Sequence, residues 1–302
     1  MRQFHYNLIA FLLTLVVTVS VVEYRLSKNT KTYVDLKYEE VYSPKVNADN
    51  VIFGNSHAGG IDPTILDNDE YTYYNFYFGG GSPTYYKIWY NNVFKENYPK
   101  PKYVIYTVDW VMFDKTWSRT IDADIRLVSF PAFINIILNE PNINKKRLIS
   151  NYSFLVTKPN QLQHVFYPKI RKDVIKYKNG FFPVDKKNAV MGVGFDSIVV
   201  DNRLKNDFEG LLNILERDSV QVIFVSIPEY IPAWKTDAYI EVYQYLDSIA
   251  VNRDIPYLNY NVELKSEMNY DSTCFNDWIH LNSKGAINFS KMLSSDLKQL
   301  IE

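Results

Sequence analysis

Ser56, His280 and Asp277 are the side chains of this 302-residue chain whose types and surroundings could carry out nucleophilic chemistry on an acyl carbon. A serine hydroxyl attacks a carbonyl only when a base can take its proton and a third group fixes the tautomer of that base. Ser56 stands in Val51-Ile52-Phe53-Gly54-Asn55-Ser56-His57, an apolar run that breaks at a glycine and hands the serine to the start of a helical segment. Asp277-Trp278-Ile279-His280 supplies an imidazole and a carboxylate from one short turn. Each piece alone has an ordinary explanation, since serine at a strand-to-helix turn caps the helix and D-x-x-H also opens helices or contributes metal ligands. Their joint presence points to a Ser-His-Asp set.

An attacked carbonyl also needs donors preset for the charge that develops on its oxygen. The Ser56 N–H is one candidate, and Gly79-Gly80-Gly81-Ser82 offers backbone that a ligand can approach closely. Asn55 and Ser82 are side-chain candidates for a further donor. His57, Asp109, Trp110 and Glu229 complete the set of expected substrate-facing residues, His57 being open to a structural, substrate-contact or catalytic role. His5 and His164 show no ligand spacing, so no metal is expected, and the chemistry calls for no cofactor. Cys274 reads as a small packed apolar residue.

Positioning these residues requires strands that end where they begin. Apolar runs at Asn50 to Phe53, Thr72 to Phe78, Tyr103 to Val108, Gln221 to Ile227 and Ile255 to Tyr260 read as five strands. Helical patterns at Thr84 to Lys95, Arg203 to Arg217, Thr236 to Asn252 and Ser283 to Leu300 lie between or after them. Alternation of this kind predicts a three-layer, flavodoxin-like α/β fold with a parallel sheet of about five strands, in which ligands sit at the carboxyl ends of strands. Ser56, Gly79 to Ser82, Asp109 and Glu229 all fall at such ends. Residues 110–202 break the alternation and are expected to form an inserted cap of mixed helix and irregular structure.

The N-terminus is separate. Leu8 to Val22 is uncharged throughout, with Arg2 ahead and Arg25, Lys28 and Lys31 behind. It reads as a transmembrane signal anchor over residues 1–24, lengthened toward the interfaces by Phe4, Tyr6 and Tyr24; a cleaved signal peptide is the alternative, although Ser20-Val21-Val22-Glu23 makes a poor cleavage site. Residues 25–48 suit a stem, and 49–302 the catalytic domain.

Composition limits the partners. Lys and Arg number 33 against 34 Asp and Glu, so no basic field is present to hold nucleic acid. A single cysteine excludes an internal disulfide and a Cys-based zinc site. The 25 Tyr and 18 Phe suit either a sugar-stacking platform, with Trp110, Trp117, Trp234, Tyr85, Tyr86 and Tyr230 as members, or simple core packing.

G-N-S-H with Ile61-Asp62-Pro63 after it, and D-W-I-H followed by Leu281-Asn282-Ser283-Lys284-Gly285, resemble the first and last blocks of the SGNH (GDSL-like) hydrolase superfamily. The wording is similar to its membrane-anchored branch, which modifies alginate and teichoic acid. The resemblance implies an extracytoplasmic O-acyltransferase or esterase acting on acyl groups, acetyl above all, of a cell-envelope or exported polysaccharide, with a multi-pass membrane acyltransferase as a partner. It implies an extracytoplasmic body, whereas the basic residues behind the anchor, taken by the positive-inside rule alone, put it in the cytoplasm. One departure stands out: the superfamily offers an asparagine after the third strand, and Thr107-Val108-Asp109-Trp110 has a carboxylate there instead. That departure favours the main rival reading, a non-catalytic assembly factor or glycan-binding protein on the same scaffold. A secreted lipase or esterase is the third.

Overall fold

The computed structural model describes residues 2–30, 46–117, 120–125, 128–141, 143–157, 159–167, 179–181, 198–235 and 238–301. Five strands, β1 (Asn50–Phe53), β2 (Tyr73–Asn75), β3 (Tyr103–Thr107), β4 (Gln221–Ser226) and β5 (Tyr257–Asn259), form one parallel sheet in the order β2-β1-β3-β4-β5. This is the expected flavodoxin-like order. The chain leaves β1 for one side of the sheet and returns on the other at β3, so the carboxyl ends of these two strands form the switch point at which open parallel sheets bind ligands.

Register explains why the strands are apolar throughout. Ile52, Ile105 and Ile223 are paired neighbours across β1, β3 and β4, and so are Phe53, Tyr106 and Phe224. Alternate residues point to opposite faces of the sheet, and both faces are covered. The isoleucine face packs with Phe289, Leu293 and Leu297 of the last helix. The aromatic face meets a cluster in which Phe53 touches Phe76, Tyr86, Trp89, Tyr90, Phe94 and Tyr106. Much of the aromatic excess is therefore core. Tyr85, Tyr86 and Trp110 are fully buried, which removes them from any sugar platform.

The helices in chain order are α1 (Arg2–Asn29), α2 (Pro63–Leu66), α3 (Pro83–Trp89), α4 (Phe130–Asn139), α5 (Lys145–Tyr152), α6 (Phe154–Thr157), α7 (Asn202–Arg217), α8 (Ala238–Asn252) and α9 (Ser283–Ile301). Asp62, Ser82 and Asp201 cap α2, α3 and α7 by accepting from their first-turn N–H groups, and prolines at the first positions of α2 and α3 preset the backbone. The α3 helix runs on through a π turn, Tyr90–Phe94, to Asn97. In α7, Leu204, Phe208, Leu211, Leu212 and Leu215 form the buried stripe that its sequence period predicts.

Two compact units result: residues 43–121 with 176–302, which hold the sheet, and residues 1–42 with 122–175. The expected insert thus carries structure of its own, in α4, α5, α6 and a 3₁₀ stretch (Pro159–Val165), and most of it groups with α1. Its two ends, joined by an antiparallel bridge from Asp114 to Val200, stay with the sheet. The α1 helix extends five residues past Tyr24, into the expected stem, because it is held there: Leu26 is buried, and Asn29 Nδ2 donates to the His164 carbonyl at 2.7 Å. At 28 residues α1 is about 42 Å long, enough to cross a hydrocarbon layer of about 30 Å, and its apolar window is exposed. Residues 31–45, most of the expected stem, lie outside the described residues, as do 168–178 and 182–197 of the insert.

Candidate active site

The turn after β1 is set by glycine. Gly54 has φ +153°, and a Cβ there would fall 1.7 Å from Thr107 Oγ1 on the neighbouring strand. Beyond it, Asn55 caps a 3₁₀ turn (Ser56–Gly60), its Oδ1 accepting from the His57 N–H at 2.9 Å. Ser56 is left half-buried at the turn's first position.

The histidine comes from the loop before α9. Phe275 and Leu281 pair as an antiparallel bridge, and Asn276 N–H donates to the His280 carbonyl at 2.7 Å, so residues 276–280 form a closed bulge. Asn282 fastens its base: its N–H and Nδ2 donate to carbonyls of Cys274, Thr273 and Phe275, while its Oδ1 accepts from Gly285 N–H. Inside the bulge Asp277 Oδ1 accepts from the backbone N–H groups of Ile279 and His280 at 3.0 and 2.9 Å.

These two loops meet. His280 Nε2 lies 2.8 Å from Ser56 Oγ, and His280 Nδ1 lies 2.9 Å from both carboxylate oxygens of Asp277. Burial raises the Asp277 pKa, but the hydrogen bond from His280 and the two backbone donors outweigh it, so the net shift is downward and the carboxylate stays ionised. With Nδ1 facing an anion, Nδ1 carries the proton and Nε2 presents a lone pair to the serine hydroxyl.

Behind the triad geometry lies a second, sealed group. His57 Nδ1 is 3.0 Å from Asp109 Oδ2 and 3.9 Å from Glu229 Oε1, all three side chains being at most 3% exposed. The contact to Asp109 is close but off the ring N–H axis, an ion pair more than a linear hydrogen bond, and His57 Nε2 has no hydrogen-bond partner among the described residues. The His57 ring stands edge-on to that of His280, centroids 5.2 Å apart. Burial pulls the His57 pKa down, but the Asp109 carboxylate and then those of Glu229 and Asp277 reverse this and hold it at about 9. Asp109 is held below the usual carboxylate range: burial opposes ionisation, and His57, the Met112 N–H and Asn55 overcome it. Burial pushes Glu229 up to about 7.

Several expected roles change here. Asp109 does not face the reacting centre; it orders the loops, receiving the Asn55 amide at 2.9 Å on both oxygens and the Met112 N–H at 3.0 Å. Asn55 is thereby committed to Asp109 and its own cap and is 2% exposed, so it is no free oxyanion donor. Ser82 is enclosed and caps α3, and the Gly81 N–H donates to the Phe78 carbonyl at 2.7 Å, which takes both away from a ligand. Glu229 is wholly buried, accepting from the indoles of Trp110 and Trp234 and from the Tyr243 hydroxyl, so neither it nor Trp110 touches a substrate. Gly79 and Gly80 remain partly exposed. Phe78 N–H donates to the Gly54 carbonyl at 3.0 Å, which sets Gly79 beside the Ser56 turn.

Residues that the sequence did not single out hold this ground. Trp278 stacks on Trp110 with centroids 5.7 Å apart, and its carbonyl accepts from Tyr230 N–H. Asn261 and Asn269 bind the backbone of residues 227–229, through Glu229 N–H, the Ile227 carbonyl and the Glu229 carbonyl. Trp278 could have been read from its place within D-W-I-H; the two asparagines carry no such signal. Among the described residues no cluster of three His, Cys, Asp or Glu side chains could hold a metal ion.

No protein-family model and no curated protein matches the chain. Solved structures do. They include a Bacteroides fragilis protein described as an acylhydrolase (TM-score 0.44, 13% identity, covering 90% of this chain and 100% of that one). A GDSL-like lipase from Bacteroides thetaiotaomicron matches with TM-score 0.41 and 11% identity over 84% of this chain and 87% of its own. The acetyl xylan esterase AlAXEase matches with TM-score 0.43 and 10% identity over 84% and 100%. Each of these likenesses extends over most of this chain at low sequence identity.

Proposed function

We propose that the protein is a membrane-anchored, extracytoplasmic serine esterase or O-acyltransferase that acts on acyl groups, acetyl in the first instance, of a cell-envelope or exported polysaccharide. The observation that carries this reading is the hydrogen-bonded run from Ser56 Oγ through His280 to Asp277. The polysaccharide, the acetyl group and a multi-pass acyltransferase as donor partner come from the sequence resemblance of G-N-S-H and D-W-I-H.

In this mechanism Ser56 Oγ attacks the ester carbonyl while His280 Nε2 takes its proton, and Asp277 stabilises the imidazolium that forms. The oxyanion faces the N–H groups of Ser56 and of Gly79 or Gly80. Collapse of the adduct breaks the ester bond, His280 returns the proton to the leaving alcohol, and the acyl group stays on Ser56. Water or a sugar hydroxyl then attacks the acyl-enzyme, giving hydrolysis or transfer by the same proton path.

Ser56→Ala tests it. Turnover of an acetyl ester should fall by about 10⁶ with folding unchanged, because a small residue replaces a small one at a part-exposed turn. The rival reading, an assembly factor that keeps the scaffold, is favoured by Asp109 standing where the superfamily has asparagine. It expects normal polymer acetylation in cells carrying Ser56→Ala, and that outcome would overturn the catalytic assignment.

A further inference from the structure

The α4 helix is apolar on both sides. Ala132, Phe133 and Ile136 are buried, while Phe130, Ile134 and Leu138, spaced four apart on the opposite stripe, are 61%, 37% and 70% exposed. The apolar residues of α4 thus form one buried and one exposed stripe, and contacts within its own unit lead from α4 to α1. Glu23, the first charged residue after the Leu8 to Val22 run, accepts from the N–H groups of Phe154 and Leu155 at 2.8 and 3.2 Å and from the Ser153 hydroxyl. The start of α6 is thus hung on the end of the apolar segment. Next to Ser153, the Tyr152 ring stacks on Phe133 with centroids 4.0 Å apart, and Phe130 lies 6.2 Å from Phe133. The exposed stripe of α4 therefore begins only a few side chains from the point where α1 would leave the hydrocarbon.

Exposed basic residues belong to the same unit. Arg25 and Lys28 project from α1 just past Glu23, and Lys145 and Lys146 are exposed at the start of α5. Apolar side chains bordered by lysine and arginine are the composition of elements that lie in a membrane interface and meet anionic headgroups.

We infer that α4 rests on the bilayer beside α1, with Phe130, Ile134 and Leu138 set into the boundary between headgroups and acyl chains. The α4–α6 part of the insert is then a membrane-seated foot fixed to the anchor through Glu23. This rests on reading α1 as a membrane span.

The test uses the full chain with Cys274→Ser and one new cysteine, Leu138→Cys, carrying an NBD fluorophore, in phosphatidylcholine–phosphatidylglycerol vesicles. Leu138 is exposed, so the label does not disturb the core. The expected result is blue-shifted emission, most of which is lost when the lipids carry a nitroxide near the headgroup end of the acyl chain. Water-like emission without quenching overturns the inference. Blue-shifted emission that nitroxide lipids leave intact and that fades on diluting protein within the bilayer also overturns it, and shows a second copy on this face. A companion label at Val16→Cys separates the two readings. Quenching at Val16 by a deep nitroxide, without quenching at 138, removes the membrane-seated foot alone; no quenching at either removes the anchor as well.

Discussion

His57 and Asp109 form a sealed ion pair, Nδ1 to Oδ2 3.0 Å, one residue after the candidate nucleophile. The pair makes stability depend on pH in a stated direction. The folded pKa of His57, about 9, lies above its ordinary 6.5, so the folded state binds the proton more tightly than the unfolded chain. The stabilisation is complete below about pH 6.5 and is lost as pH rises through about 9; a shift of this size corresponds to about 3 kcal/mol. Glu229, raised to about 7, acts in the same sense at lower pH, its burial being tolerated while it is protonated. The unfolding midpoint should therefore fall steadily between pH 6.5 and 9. A flat profile over that range would show that His57 is neutral in the folded protein.

Asp277 sets the tautomer of His280, and its replacement by asparagine separates orientation from charge. An amide can still accept the Ile279 and His280 N–H groups through its oxygen, so the bulge should persist. It can no longer stabilise an imidazolium, and it can turn an N–H toward Nδ1 and leave the proton on Nε2, the wrong nitrogen for a base facing Ser56. Asp277→Asn should lower kcat by about 10⁴ with little change in KM. Steady-state kinetics beside a thermal melt checks this: a loss of activity matched by a loss of fold would mean that Asp277 is mainly a structural cap.

The sheet and the triad candidates were legible because each depends on local pattern. Gly54 ends an apolar strand, and D-W-I-H keeps base and carboxylate within one turn, so neither requires knowledge of a distant partner. Strand ends were less legible. The segment after β2 was expected to run as strand to Phe78; regular strand stops at Asn75, yet Phe76 and Phe78 still donate to Ile52 and Gly54. The direction of Asp109 was out of reach, because it is decided by Asn55 and His57, more than fifty residues earlier, and spacing says nothing of which way a side chain turns. The same limit hid the burial of Ser82 and Glu229. Glycine-rich and strand-end positions look alike in sequence whether they face a ligand or a helix.

Gly285 tests how closely the His280 loop depends on α9. A Cβ at this position would lie 2.0 Å from the Cys274 carbonyl oxygen and 3.0 Å from Leu281 Cδ2. The first of these is backbone and cannot swing aside, so an alanine must push the start of α9 away from the segment that opens the bulge. That segment carries the Cys274 and Phe275 carbonyls to which Asn282 is bound, at the base of the bulge that holds Asp277 and His280. Gly285→Ala should destabilise the fold by about 1–3 kcal/mol, the usual penalty for overpacking. It should also reduce kcat more than stability alone accounts for, since reacting groups displaced by about 1 Å can lose about 10²-fold in rate. Measured at a temperature where the variant is fully folded, unchanged kcat would show that the Ser56–His280 geometry is held by the bulge itself and owes nothing to α9.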